Sequence, residues 1–140
     1  MAQSVLLKVR LILEYNGMVL LMKQTTENGG KYTLVGGTVE DHEFAKASLI
    51  RESKEEADIK LKPENLELVH VLHKKKGQKS RVVMYFKSNN WKGEPNALEY
   101  KKFKKVAWFP LDKLPVNMSP TVKHVFKRYK EGATYSKFKN

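Results

Sequence analysis

The sequence predicts a mixed α/β (α+β) domain in which several strands form a mixed β-sheet, with one central helix and one late helix. Three observations lead there. Val5, Leu7, Val9, Leu11 and Leu13 alternate with Lys8, Arg10 and Glu14 at the period of a half-buried strand. Asn16-Gly17, a pair strongly favoured in two-residue hairpin loops, comes directly after them. Between residues 44 and 57 the apolar period becomes helical, and strand patterns return after Pro63.

Taken in order, the first strand and the Asn16-Gly17 turn lead into a second apolar run at residues 18–22. The polar stretch 24–31, with Gly29-Gly30, is expected to be an exposed loop, and residues 32–35 a short strand ending at Gly36-Gly37. On the following helix, Ile50, Ser53 and Ala57 share one side at 100° per residue, with Ala47 near them. Two further strands are expected at 66–73 and 81–87, joined by a polar turn at 75–79. A loop at 91–95 precedes a strand at 106–109, closed by Pro110; an irregular stretch at 115–120 precedes a helix at 121–131 capped by Gly132, and residues 132–140 form a basic tail. No linker, repeat or low-complexity segment divides the chain, so residues 1–140 are read as one domain.

Composition narrows the chemistry. At 140 residues, with 41% hydrophobic residues, the chain can bury a core without covalent staples. Cysteine is absent, which excludes disulfides, thiolate metal sites and a cysteine nucleophile. A secretory signal needs an apolar run of about 7–15 residues and a spanning helix about 20; neither is found, so a soluble, cytoplasmic protein with no membrane association is expected. The formal net charge of +12 points to an anionic partner. Its distribution is uneven. Residues 40–58 carry seven acids and three bases, residues 70–105 eleven bases and two acids, and residues 121–140 six bases and one acid. An acidic centre thus sits between basic flanks, an arrangement suited to a polyphosphate and equally to simple solubility.

The acidic centre runs Gly37-Thr38-Val39-Glu40-Asp41-His42-Glu43, then seven residues, then Arg51-Glu52-Ser53-Lys54-Glu55-Glu56. With Ile50 at the origin of the helical wheel, Glu55, Glu52 and Glu56 fall at about 140°, 200° and 240°, away from Ile50, and Glu52 and Glu56 stand one turn apart. Massed carboxylates destabilise a helix unless cations offset them. Hard oxygen donors without His or Cys suit Mg²⁺, with Mn²⁺ as a substitute, and such ions favour phosphate chemistry. A charged run of this kind is commonly only a solvated helix face; the Gly36-Gly37 turn just before it adds a place where backbone can approach a metal.

The spacing resembles the Nudix box of the Nudix hydrolases, in the MutT-like branch. That signature reads Gly, five residues, Glu, seven residues, Arg-Glu, an aliphatic, any residue, Glu-Glu, any residue, Gly, an aliphatic. Gly37, Glu43, Arg51, Glu52, Glu55, Glu56 and Ile59 match it within residues 37–59. Ser53 stands where an aliphatic is usual, Asp58 where glycine is usual, His42 where glycine is frequent and Val35 where proline is frequent. These departures touch helix packing and turn shape rather than charged positions. Weaker likenesses lie at Trp91 to Pro95 followed by Glu99, at Trp108 to Pro115, and at Tyr135 to Phe138, which resembles a tail found in some members.

The resemblance implies a Nudix-type α/β/α sandwich and hydrolysis of a nucleoside diphosphate linked to another group, by water attack at phosphorus. It implies Glu52 and Glu56 as principal metal ligands, Glu55 as an auxiliary one, Gly36 through its carbonyl, and Glu99 completing the site with substrate. Arg51 would pair with a box carboxylate, Glu43 first. For the general base the choice is Glu52, then Glu55. Asn117 lies where MutT-like enzymes carry an asparagine that reads a purine edge, a donor–acceptor pair suited to that task, although a loop asparagine capping the last helix has the same sequence. Lys23 and Tyr32 are further pocket candidates, with Tyr85 and Phe86 behind them. His70 and His73 are read as ordinary strand histidines because positions i and i+3 face oppositely, His124 has no evident partner, and His42 is read as a turn residue.

The leading expectation is a Mg²⁺-dependent pyrophosphohydrolase acting on a nucleoside triphosphate, including modified purine ones, or on a related nucleoside diphosphate derivative. One alternative is an RNA 5′-end pyrophosphohydrolase using Lys74-Lys75-Lys76 and the lysines at 101, 102, 104 and 105, which predicts steeply salt-dependent RNA binding. Another is a non-catalytic nucleotide-binding Nudix domain, which would not need all three helix glutamates. Either a monomer or a homodimer fits the sequence.

Overall fold

A computed structural model describes residues 4–140. Strands β1 (Val5–Tyr15) and β2 (Met18–Gln24) form a hairpin, and β3 (Tyr32–Thr33) and β4 (Gly36–Thr38) follow. Helix α1 (Ala45–Ala57) leads to β5 (Glu67–Lys76), β6 (Lys79–Ser88) and β7 (Phe103–Pro110). Helix α2 (Pro120–Lys130) and β8 (Tyr135–Lys139) close the chain. Asn16 and Gly17 both have positive φ, 51° and 75°, the backbone that a twist-compatible two-residue hairpin loop demands.

The eight strands make one mixed sheet in the order β3-β2-β1-β6-β5-β8, with β4 also on β1 and β7 on β2. β1 runs parallel to β6 and antiparallel to β2 and β4. The two faces carry separate cores. Val9, Leu11, Leu13, Leu20, Met22 and Phe86 pack with Leu49 and Ala57 of α1, whereas Ile12, Leu21, Leu72, Val83 and Tyr85 pack with Val122, Val125 and Phe126 of α2. Helix, sheet and helix therefore stack as three layers. Among the described residues no helix is long and apolar enough to cross a membrane.

Three expectations are corrected. Residues 132–140 are not a free tail, because β8 pairs in parallel with β5, Val71 to Tyr135 through Lys75 to Lys139. The wheel built on Ile50 misplaced the buried side of α1. Ser48, Leu49, Ser53, Glu56 and Ala57 are buried, Ala47 is exposed, and Glu56 is only 3% exposed. Leu49, next to Glu56 on the wheel, sets the orientation. His124 also has partners: it is hydrogen bonded to Ser136 Oγ at 3.3 Å, and its ring lies 4.9 Å from that of Phe138. His70 is fully buried between Ala133 O and Ser136 Oγ, and His73 is hydrogen bonded to Ser80 Oγ.

Ser53, at the position where an aliphatic is usual, lies fully buried with its hydroxyl unpartnered. Removing an unpaired buried hydroxyl avoids its desolvation cost. Ser53→Ala is therefore expected to stabilise the chain by about 1 kcal/mol, read as a higher midpoint in urea with an unchanged slope. Asp58 ends α1 with φ 57°, the left-handed backbone that explains why glycine is common there.

Candidate active site

β4 brings the glycine pair against both β1 and α1. Gly36 and Gly37 pair with Arg10 and Val9. A Cβ on Gly36 would collide with the Val9 carbonyl, and one on Gly37 would lie 2.7 Å from the Glu52 carboxylate. The bare α-carbon of Gly37 thus leaves the space that the Glu52 carboxylate occupies. Gly37→Ala meets only the far end of a flexible side chain, so it is expected to fold normally while displacing Glu52. Because misplacement by about 1 Å costs roughly 100-fold in rate, its kcat/KM should fall 10- to 100-fold with little change in Tm.

Arg51 ties the loop to the helix. Its Nε and Nη2 donate to the two Glu43 oxygens at 3.1 and 2.7 Å, and Nη1 donates to Glu52 at 3.0 Å and Glu55 at 3.3 Å. The bidentate guanidinium, together with the Glu40 amide, pulls Glu43 down to about 2. The same carboxylates hold Arg51 charged even more firmly than usual. Glu55 is half exposed on the outer side of this group, and His42 is an exposed turn residue near Glu40.

Glu56 points inward. Its Oε1 accepts the Gly36 amide at 3.0 Å, and the segment after β6 docks on the end of the helix, Asn96 N to Ala57 O and Leu98 N to Glu56 O. That docking carries Glu99 to the site, where Lys102 Nζ pairs with it at 3.1 Å. Burial first, opposed by the Gly36 amide and reinforced by the Glu52 and Glu99 charges, raises Glu56 to about 7. Lys102 is raised through its bond to Glu99, with Glu56 and Glu52 adding to the effect. Sequence reading placed Lys102 only among the lysines of an RNA track, because nothing local separates it from its neighbours in the run 101–105.

Glu52 and Glu99 therefore act electrostatically on Glu56 across the end of β4. Three hard oxygen donors, one of them held near 7 by burial first and by its carboxylate neighbours after that, match what a divalent cation offsets. Among the described residues no three His, Cys, Asp or Glu side chains are spaced as a ready metal cage. The carboxylates are held instead by Arg51, Lys102 and the Gly36 amide.

Lys23, Tyr32 and Asn117 form a second group around β3. Lys23 Nζ lies 4.9 Å from the centre of the Tyr32 ring, which meets Phe109 edge-on at 5.0 Å. The Tyr32 amide donates to Asn117 O, and Asn117 Nδ2 donates to Gly30 O at 3.0 Å. Asn117 is thus not the cap of α2, whose capping residue is Ser119; its amide holds the glycine loop. Among the described residues no hydrogen bond or ion pair joins this group to the carboxylates. Tyr85 and Phe86 are core residues, and Trp91 and Trp108 stack at 5.7 Å beside Tyr15.

The family model described as the NUDIX domain matches residues 7–129. The chain belongs to the Nudix hydrolase family. Solved Nudix structures share the fold at low identity. A MutT NUDIX hydrolase from Burkholderia pseudomallei superposes with a TM-score of 0.80 at 23% identity, covering 89% of this chain and 98% of that one. A MutT protein from Bacillus halodurans gives 0.77 at 23% identity over 96% and 89%. An ADP-ribose pyrophosphatase from Streptococcus suis gives 0.57 at 17% identity over 96% and 98%. No curated protein matches the chain.

Proposed function

We propose that this Nudix protein is a Mg²⁺-dependent pyrophosphohydrolase that cleaves a nucleoside triphosphate or related nucleoside diphosphate derivative by water attack at phosphorus. The observation that carries this reading is that Glu52 and Glu99 both act electrostatically on the buried Glu56 at the glycine end of β4, with Arg51 bonded to Glu52 and Lys102 to Glu99. Glu52, Glu56 and the Gly36 carbonyl would hold the ion, with Glu99 and Glu55 in support. When bound, the ion neutralises diphosphate oxygens and makes water more acidic.

The chain's own groups do the rest. Arg51 keeps Glu52 turned toward Gly37 and ties it to the Glu43 loop. Glu52 is the first candidate to take the proton from water, and Glu55 the second. Water's oxygen bonds to phosphorus as the bridging P–O bond breaks, and the leaving oxygen departs as a phosphate group. Lys102, released from Glu99, has the charge to meet that leaving group.

Structural relatives include both MutT proteins and an ADP-ribose pyrophosphatase, so a substrate panel is the direct test. Purine and pyrimidine nucleoside triphosphates, modified purine triphosphates, nucleoside diphosphate sugars and 5′-triphosphate RNA are assayed with Mg²⁺ and Mn²⁺, and products are resolved by ³¹P NMR. Release of a nucleoside monophosphate with its pyrophosphate or phosphate-sugar partner is expected. Absence of turnover on every member with either ion would sink the reading in favour of a binding domain.

A further inference from the structure

The chain carries 27 lysines and arginines, and seven are partly buried: Lys8, Arg10, Lys23, Arg51, Lys74, Arg81 and Lys87. Three of these have evident partners. Lys23 lies over the Tyr32 ring, Arg51 binds glutamates and Lys87 pairs with Glu14. The other four have no acid within ion-pair reach among the described residues, and they lie together. Arg10 donates only to the Leu34 carbonyl, and Lys74 to the Thr121 hydroxyl.

Strand register explains the gathering. Lys74 on β5 is opposite Arg81 on β6, and Arg81 is opposite Leu6 on β1. Lys8 is opposite Val83, and Arg10 opposite Tyr85, two and four residues further along β6. Positions separated by two share a face, so all four cations project from the face that α2 covers. Adjacent strands are about 4.8 Å apart, so the group spans β1 to β5 in about 10 Å. Lys8 also pairs with Thr38, next to the Gly37 that faces Glu52.

Half-buried like charges repel. Burial first, and then Arg10, Arg81 and Lys74, bring Lys8 down to about 8, with Glu52 alone acting the other way. Lys74 is lowered by burial and then by Arg81, Lys76 and Arg10. Four cations held this way are short of negative charge: across the β4 edge Glu52 acts on Lys8 and Glu56 feels Arg10, but among the described residues neither carboxylate pairs with them. Such an arrangement favours an anion that supplies it.

We propose that Lys8, Arg10, Lys74 and Arg81 form a shelf that binds phosphate groups of the substrate beyond the bond being cleaved, so that the enzyme prefers nucleoside triphosphates or longer polyphosphates to nucleoside diphosphates bearing a neutral sugar. This rests on the pyrophosphohydrolase reading above and specifies its substrate. The cleaved bond lies at the carboxylates, and a phosphate chain continues onto the shelf. A neutral sugar placed there leaves the four charges unmatched.

The test has two arms on the full chain. Without divalent ions, in EDTA, inorganic tripolyphosphate and pyrophosphate are titrated by calorimetry against wild type, Lys8→Gln, Arg81→Gln and the exposed control Lys113→Gln. Wild type and the control are expected to bind tripolyphosphate more tightly than pyrophosphate. Lys8→Gln and Arg81→Gln should each weaken tripolyphosphate at least tenfold, the scale of one charge-assisted hydrogen bond. Their ligand-free Tm should equal or exceed wild type, since each relieves repulsion, which separates lost binding from lost folding. With Mg²⁺, the ratio of kcat/KM for triphosphate over diphosphate-sugar should exceed one in wild type and fall at least tenfold in Arg81→Gln.

Unchanged tripolyphosphate binding in both variants, or an unchanged ratio, overturns the shelf. Tighter binding of a 5′-hydroxyl oligoribonucleotide than of tripolyphosphate, lost in the same variants, overturns it in favour of a nucleic-acid track. If wild type turns over neither nucleotide class, the pyrophosphohydrolase reading fails, while the EDTA arm still decides the shelf.

Discussion

Glu52→Gln is expected to lower Mg²⁺-dependent turnover by roughly 10³-fold, within the range for loss of a positioned acid–base group. The substitution is close to isosteric. Glutamine fits the same space beside Gly37, and its carbonyl oxygen can still accept the Arg51 Nη1 donor that now lies 3.0 Å from Glu52. The loop should therefore stay docked, with Arg51 still clamped on Glu43 at 2.7 Å. What is lost is a negative charge and a basic oxygen. Single-turnover kinetics together with circular dichroism check the expectation. Full activity in a folded Glu52→Gln protein would remove Glu52 from the chemistry and, with it, the proposed mechanism.

Glu56→Gln should show opposite effects on activity and stability. In the metal-free protein Glu56 is held at about 7, mainly by burial, against 4.5 for an ordinary glutamate. A carboxyl whose folded pKa is raised contributes most stability below about 4.5, where it is protonated in both states. That contribution is lost as pH rises from about 4.5 through about 7, because the unfolded chain ionises there while the fold still keeps its proton. At 1.36 kcal/mol per unit the loss approaches the order of 3 kcal/mol near pH 7 and levels off above it. Glu56→Gln keeps an oxygen for the Gly36 amide and removes the charge. In EDTA it is expected to be more stable than wild type above pH 7, to match it near pH 5, and to lose the pH slope between them. It should also turn over substrate at least tenfold more slowly with Mg²⁺. Urea denaturation at pH 5, 7 and 9 reads the first effect; equal slopes in both proteins would show that Glu56 is not the titrating group.

Both expectations begin from a short stretch of sequence. The spacing from Gly37 to Ile59 carries the family, because local spacing on a turn and a helix survives folding unchanged: Glu52 and Glu56 remain one turn apart wherever the helix lies. Asn16-Gly17 likewise specified its hairpin through its own backbone preference. The inward burial of Glu56 was missed because the wheel was centred on Ile50, and only packing against the sheet selected Leu49 instead. Glu99 reaches Glu56 through backbone hydrogen bonds from a loop some forty residues away, with no periodic signal to announce them. Residues 135–139, basic and polar, gave no strand pattern; they are ordered by the free edge of β5, which offers its backbone regardless of side chain.

By itself the sequence determined what is local: the hairpin, the two helices, the glycine turn and the carboxylate set that identifies the family. Only the tertiary structure decided which charges meet. Lys8, Arg10, Lys74 and Arg81 come from three strands, and their meeting depends on cross-strand register, which no local pattern encodes. The physical reason is range. Backbone preference and helical period act over a few residues, whereas strand neighbours a few ångströms apart can lie seventy residues apart along the chain.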